Sequence, residues 1–218
     1  MGNNTRSFGL IDPWSDTFPD QLVPEIVDMV ISMWEAFTAR LSGSLTGNRE
    51  DHITQHFRVF LIQHKNARRL PVSIDRESIE DDLSTGKQKG RIDLRLRHGH
   101  LESVYFAFEC KRLNVIKGGR RESLSNDYVK AGMMRFITSK YAATLFQGGM
   151  IGYVMDGDVP FAVKAVDSSI GSNCNDLRMT EPCGLGDSTL SPTDDKIKET
   201  LHHLGDRDFT LHHIFLSC

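Results

Sequence analysis

The sequence contains no run of about eighteen or more apolar residues, the length that a membrane-spanning helix requires. Its N-terminus also lacks a basic segment followed by an apolar one, so we expect no secretory signal peptide. Only four cysteines are present, and their spacing matches neither a zinc site nor a disulfide framework. These absences predict a cytoplasmic protein without membrane contact, in which Cys174 and Cys183 are free thiols in a loop. A metal site that uses both cysteines is the alternative.

The chain also lacks an excess of positive charge. Its formal net charge is −3, which does not favour a nucleic-acid-binding protein. The charges are nevertheless distributed unevenly, because residues 65–121 hold fourteen Lys and Arg against eight Asp and Glu, whereas residues 156–218 hold five against eleven. We therefore expect the basic half to contact a polyanion and the acidic third to face solvent or a protein partner.

The most informative stretch is a predicted β-hairpin in the middle of the chain, GRIDLRLRHGHLESVYFAFECKRLN. Side chains alternate between the two faces of a strand, so Glu109 and Lys111 project side by side from the second strand. Asp93 lies on the polar face of the first strand. If the loop pairs Arg97 with Tyr105, Asp93 stands directly opposite Glu109. The hairpin thus predicts a cluster of two carboxylates and one ammonium.

Two carboxylates from neighbouring strands form a hard, oxygen-rich site of the kind that binds Mg²⁺. A neighbouring lysine supplies what such a site lacks, because its ammonium can hold a water or stabilise negative charge on a phosphate. This combination indicates metal-assisted hydrolysis of a phosphodiester. The alternative is that Asp93 and Glu109 form ordinary ion pairs with Arg91, Arg95 and Lys111 on a half-exposed sheet face.

The order Asp93, fifteen intervening residues, Glu109, one residue and Lys111 resembles the signature of the PD-(D/E)XK nuclease superfamily. Ile92 stands where that signature has proline. The resemblance covers about residues 48–156 and implies the restriction-endonuclease-like fold, an α/β architecture whose mixed central sheet is flanked by helices. It also implies a nuclease that depends on Mg²⁺ or Mn²⁺, in which Asp93 and Glu109 bind the metal and Lys111 orients the attacking water.

The same resemblance implies further site residues on either side of the hairpin. In that family an acidic residue on the preceding helix often adds to the metal site, and we favour Glu50 over Asp51 for this place; the alternative is that both only complement the helix dipole. Basic residues after the second strand are expected to follow a phosphate backbone, unless they form a solvated loop. These basic residues are Arg112, Lys117, Arg120 and Arg121.

Periodicity and turn residues predict the remaining elements, within one domain that spans residues 1–218. Its parts are a helical lead (1–65), a motif-bearing core (66–156) and a C-terminal elaboration (157–218). The predicted helices are 20–41, 48–64, 125–144, 159–170 and 193–204. Strands are predicted at 70–74, 148–155 and 209–216, the last at an edge of the sheet, and polar loops at 75–89 and 171–192.

Three functions follow as hypotheses. The first is a metal-dependent nuclease acting on DNA, in a bacterial restriction or antiviral defence system, with a partner subunit or a homodimer supplying additional DNA affinity. The second is a catalytically inactive subunit of the same fold that binds nucleic acid or serves as a scaffold, which the intact set of Asp93, Glu109 and Lys111 disfavours. The third is an adaptor whose acidic C-terminal third binds a basic protein, but it leaves the hairpin unexplained.

Overall fold

The computed structural model describes residues 16–41, 43–45, 47–68, 70–75, 78–82, 87–139 and 145–218. These residues form a mixed seven-stranded sheet with helices on both faces. The helices are α1 (Leu22–Thr38), α2 (Glu50–Arg68), α3 (Ser125–Asp127), α4 (Met134–Ile137) and α5 (Val159–Gly171), and a π-helical turn (Tyr128–Met133) joins α3 to α4. Among these described helices, none has the length and apolar character of a membrane span.

The strands run through the middle and the end of the chain. In chain order they are β1 (Val72–Asp75), β2 (Ser78–Asp82), β3 (Lys87–Ile92), β4 (Leu94–His98), β5 (Tyr105–Leu113), β6 (Val115–Lys117), β7 (Arg120–Glu122), β8 (Gln147–Val154), β9 (Gly186–Asp187), β10 (Ile197–His203) and β11 (Asp208–Ser217). The main sheet has the order β1-β4-β5-β8-β11-β10-β9, in which the neighbours β5–β8 and β8–β11 pair in parallel and the other neighbours pair antiparallel. The pairs β2–β3 and β6–β7 form separate two-stranded ribbons.

Each face of the sheet is covered by its own apolar cluster. Helices α1 and α2 pack on one face, where Ile26 and Phe57 meet Phe106 and Phe108 of β5. The π-helical turn, α4 and α5 pack on the other face. The three parallel strands at the centre are therefore buried on both sides, which fits the uncharged, apolar sequence of β8.

Four of the predicted helices are present with changed bounds, and the fifth is wrong. Residues 193–204 were predicted to be helical, but 197–203 form β10, which pairs along its whole length with β11. The buried residues Thr200 and His202 are polar, so the segment has no clear apolar periodicity of a helix or a strand. Pairing with β11 therefore determines that it is a strand. Strand β11 is also not at an edge, because it lies between β8 and β10.

The predicted polar loop at 75–89 is likewise wrong in its described part, because β2 and β3 pair within it. Because this segment is rich in charged residues, it lacks the apolar alternation that predicts a strand, yet it forms a ribbon beside the main sheet. The predicted helix 125–144 begins at Ser125 as expected and continues to Ile137 through the π-helical turn. Residues 1–15 and 140–144, which the predictions for the lead and for this helix include, lie outside the described residues.

The centre of the sheet requires a residue without a side chain at Gly149. A Cβ added there would collide with two ring carbons of Phe108 on β5. We expect Gly149→Ala to lower the free energy of unfolding by about 1–3 kcal/mol through overpacking. Urea denaturation measures this change, with Gly43→Ala as the control, because nothing lies within 4 Å of a Cβ at Gly43. Equal stability of the two variants would contradict the close packing of β5 against β8.

A buried chain of hydrogen bonds crosses β10 and β11. His202 Nδ1 lies 2.7 Å from the carbonyl oxygen of Leu177, so this nitrogen carries the proton and Nε2 accepts one from Thr200 Oγ1 at 2.7 Å. Thr200 Oγ1 in turn accepts from His213 Nε2 at 2.9 Å, and His213 Nδ1 accepts from the Tyr128 hydroxyl at 2.9 Å. All four side chains are neutral in this arrangement, which ties the π-helical turn to the C-terminal strands. No pattern in the sequence indicates this network.

This network makes stability depend on pH. Burial lowers the pKa of His202 from 6.5 to about 4, so the unfolded chain takes up a proton near pH 6.5 that the folded chain does not. Stability is therefore lost as pH falls through this range, at about 1.4 kcal/mol per pH unit. Glu109 acts in the opposite direction, because its raised pKa of about 7 makes the folded chain hold a proton. The wild-type pH dependence alone therefore does not isolate His202.

The measurement is the free energy of unfolding in urea at pH 6.5 and at about pH 5. Compared with wild type, we expect His202→Gln to lose about 2 kcal/mol less between these two conditions. His56→Gln is the control, because His56 is exposed on α2 and is expected to leave the difference unchanged. Identical pH dependence in His202→Gln and wild type would show that His202 does not titrate as described.

Candidate functional site

The predicted metal-binding and catalytic residues meet where the sheet forks. Strand β4 pairs with β5 from Arg97↔Tyr105 to Leu94↔Phe108, which is the register considered in the sequence analysis. At Asp93 the chain turns away from β5 into the ribbon formed by β2 and β3. The second half of β5 is therefore left with an open edge on this side.

Two carboxylates fill that open edge. Asp93 Oδ2 accepts a hydrogen bond from the backbone nitrogen of Cys110 at 2.8 Å, and Glu50 Oε2 accepts one from the backbone nitrogen of Arg112 at 3.1 Å. Glu50 is the first residue of α2, so these contacts dock the start of that helix against β5. The two carboxylates take the place of a neighbouring strand and are held by the backbone of β5.

Lys111 lies between the acidic residues. Its Nζ is 2.6 Å from Glu109 Oε1, 3.0 Å from Glu50 Oε1 and 2.8 Å from the carbonyl oxygen of Cys110. An ammonium has three hydrogen-bond donors, and these three acceptors match them. The side chain of Lys111 is 11% exposed, so the charge is held in one place.

Glu109 has a second cationic partner. Arg135 of α4 places Nη1 3.0 Å from both carboxylate oxygens of Glu109, whose side chain is fully buried. From the sequence, Arg135 is a candidate for phosphate contact that is interpreted as a surface charge, and its contact with Glu109 was not predicted. The π-helical turn that precedes α4 shifts the angular position of every later residue, and helical periodicity alone therefore does not show that Arg135 faces Glu109.

The carboxylates carry an electrostatic cost. Burial and the charge of Asp93 raise the pKa of Glu109 to about 7, and burial also raises the pKa of Asp93. Burial lowers the pKa of Lys111, but Glu109 and Glu50 outweigh that effect, so its pKa is raised and the ammonium stays charged. Two buried carboxyl groups disfavour each other's ionisation. A divalent cation would offset this cost, because its positive charge favours their ionised forms.

The donor set fits a hard cation. Asp93 and Glu50 line a small cavity of about 50 Å³ together with Thr54 and Arg58, and oxygen atoms are the ligands that Mg²⁺ and Mn²⁺ prefer. The carboxylates of Asp93, Glu109 and Glu50 do not all come within 4.8 Å of one another, because Lys111 Nζ stands between Glu109 and Glu50. The residues of the predicted centre are thus assembled around the lysine.

The predicted phosphate-binding residues lie on and before the ribbon that follows β5. Lys117 pairs with Glu122 at 2.7 Å, and Arg120 is exposed without an ion pair to any described residue. Arg112 donates to the carbonyl oxygen of Asn48 and lies beside the site.

Arg121 links the β6–β7 ribbon to the turn after β8 through ion pairs. Its guanidinium is 2.6 Å from Asp156 and 3.1 Å from Asp158, and it lies 4.3 Å from the ring centroid of Phe161. These contacts neutralise its charge and orient the β6–β7 ribbon. Within the described part of the chain, Arg120 is therefore more available to a phosphate than Arg121.

The prediction of free thiols is wrong for Cys174 and Cys183. The structure joins them in a disulfide, with their Cα atoms 5.7 Å apart, whereas Cys110 and Cys218 are free. The spacing in sequence gave no sign of this pairing, because the turns after α5 bring the two residues together. The cysteine argument for a reducing compartment therefore no longer holds.

Comparison with known proteins found no match among family models, curated proteins or solved structures.

Proposed function

We propose that the chain is a metal-dependent nuclease of the PD-(D/E)XK type, with a restriction-endonuclease-like fold. The observation that carries this proposal is the placement of Lys111 Nζ 2.6 Å from Glu109, at the fork where Asp93 leaves β4. Surface ion pairs do not require such burial, whereas a catalytic centre requires fixed groups in a water-poor site. The contact of Glu50 with both Lys111 and the backbone of β5 supports its place in the same centre.

In this proposal Asp93, Glu109 and Glu50 hold Mg²⁺ or Mn²⁺. When bound, the cation supplies positive charge that polarises the phosphate and lowers the pKa of a water. Lys111 keeps a positive charge where negative charge builds up. Once Glu109 or Glu50 binds the cation in place of the ammonium, Nζ would have a donor for the attacking water or for a phosphate oxygen. One water adds at phosphorus and one ester oxygen leaves, which breaks the strand.

We propose DNA as the substrate, positioned by Arg112, Lys117 and Arg120 along the edge of the site. Phosphate contacts of this kind position a nucleic acid without reading its sequence. Because the net charge is only −3, a partner subunit or a second copy of the chain supplies further affinity. A role in bacterial restriction or antiviral defence fits such an assembly.

A catalytically inactive subunit of the same fold is the second candidate. The observation that favours it is the closed set of ion pairs, in which Lys111 and Arg135 already neutralise Glu109 without a cation. In that case the network would stabilise the fork and have no chemical role.

The test is a cleavage assay on supercoiled, linear and single-stranded DNA and on RNA, with Mg²⁺, Mn²⁺ or EDTA. We expect wild type to cut DNA only with a divalent cation, Asp93→Ala to abolish the cleavage, and Lys111→Ala to slow it by a factor of about 100 or more. A folded wild-type protein that cuts none of these substrates and binds no Mn²⁺ in calorimetry would contradict the proposal and favour the second candidate.

A further inference from the structure

A second feature adjoins the site on the side of Arg135. A groove of about 620 Å³ runs between the helical segment that contains Lys130, Met134 and Arg135 and the residues after α5 that include Asn173 and Asp176. The groove is open to solvent. The function proposed above does not account for it.

Arg135 belongs to both the groove and the site. Its Nη1 is bonded to Glu109, yet its side chain is 34% exposed and lines the groove. A guanidinium carries five N–H donors in one plane and can bridge two acidic groups. Among the described residues, Arg135 therefore links the buried carboxylate of Glu109 to the open groove.

The charges of the groove indicate what it binds. Lys130 is exposed and makes no ion pair with any described residue, so the helical wall offers two cations, Lys130 and Arg135. The opposite wall offers the carboxylate of Asp176 and the amide of Asn173, whose Nδ2 donates to the carbonyl oxygen of Ser169. A phosphate is attracted to the first wall and repelled by Asp176.

We infer that the groove receives the phosphodiester next to the scissile one, and that Arg135 couples its binding to cation binding at Glu109. The inference rests on the proposed function. A divalent cation at Asp93 and Glu109 would neutralise Glu109 and repel the guanidinium, which would then pair with the phosphate. Conversely, a phosphate in the groove attracts the guanidinium of Arg135 away from Glu109. The carboxylate of Glu109 can then bind the cation. Binding free energies are reciprocal, so each ligand strengthens the other.

The test measures the dissociation constant of a fluorescent DNA oligonucleotide with and without Ca²⁺, which uses the same oxygen ligands. Coupling of this kind typically changes affinity by about 5–150-fold. For wild type we expect Ca²⁺ to tighten DNA binding at least about tenfold, and for Arg135→Gln less than about twofold. Arg135→Lys, which keeps the charge, is expected to retain part of the coupling.

Two further variants separate coupling from simple attraction. Lys130→Gln removes a groove cation that does not contact Glu109, so it should weaken DNA binding by the same factor with and without Ca²⁺. Lys164→Gln removes an exposed charge on α5 and should match wild type. Thermal melting checks that each variant is folded.

A calorimetric titration with Mn²⁺ in the absence of DNA adds a readout that a purely structural role would not change. Arg135 competes with the cation for Glu109, so Arg135→Gln should bind Mn²⁺ more tightly than wild type. An undiminished effect of Ca²⁺ in Arg135→Gln, or weaker Mn²⁺ binding by that folded variant, would overturn the inference and leave the nuclease proposal standing. A wild-type protein that binds no cation would overturn both.

Discussion

Lys111→Met should lower the cleavage rate by a factor of about 100 to 1,000 while leaving divalent cation binding in place. Loss of one group that stabilises the transition-state charge typically has an effect of this size. Methionine keeps most of the aliphatic length of lysine, so the packing of Lys111 against Gly132 is retained. Single-turnover cleavage measures the rate, and calorimetry with Mn²⁺ measures the binding.

The matched control is Lys164→Met, which removes an exposed charge far from the fork in sequence and on another element. It should cleave at the wild-type rate. If Lys111→Met also retained the wild-type rate, the ammonium would have no part in the chemistry, and its contacts with Glu109 and Glu50 would be ion pairs that only stabilise the fold.

Asp93→Asn should abolish cation-dependent cleavage and yet make the protein more stable in EDTA. Burial raises the pKa of Asp93 because apolar surroundings disfavour its charged form, and a neutral amide removes this cost. The asparagine oxygen can still accept from the nitrogen of Cys110. Replacing a functional residue that is held at a cost usually raises the free energy of unfolding by about 1 kcal/mol. For a chain of this size, that change raises Tm by roughly 3 °C.

Thermal melting of both proteins in EDTA and in Mg²⁺ tests this prediction. Wild type should gain on the order of 2–3 kcal/mol at about one hundred times its Kd for Mg²⁺, and Asp93→Asn should gain nothing. Asp28→Asn is the control, because Asp28 is exposed on α1. A variant that melts below wild type in EDTA would mean that Asp93 stabilises the fold and is not held at a cost.

The charged residues of the hairpin, Asp93, Glu109 and Lys111, could be grouped from local sequence rules. Strand alternation predicted Glu109 and Lys111 on one face, and the pairing of Arg97 with Tyr105 is present and continues to Leu94 and Phe108. Asp93 itself leaves the ladder, so it does not pair with Glu109 and instead accepts a hydrogen bond from the backbone nitrogen of Cys110. Local rules of this kind work because they depend on neighbouring residues and on a single short loop. The apolar faces of α1 and α2 were predictable for the same reason.

Features that depend on distant contacts were not predictable. The approach of Arg135 to Glu109 requires a π-helical turn, which no pattern in the sequence indicates. Strand β10 was mistaken for a helix because its buried positions include Thr200 and His202, whose hydrogen bonds are made to other segments. The disulfide between Cys174 and Cys183 likewise depends on how the chain turns after α5.

The measurement that tests the central claim most directly is anomalous diffraction from crystals of wild type grown with Mn²⁺. The account predicts a peak within about 2.2 Å of carboxylate oxygens of Asp93 and Glu109, with Arg135 moved away from Glu109. A map at saturating Mn²⁺ without a peak at the fork, in which Lys111 and Arg135 still hold Glu109, would contradict the claim that these carboxylates form a metal centre.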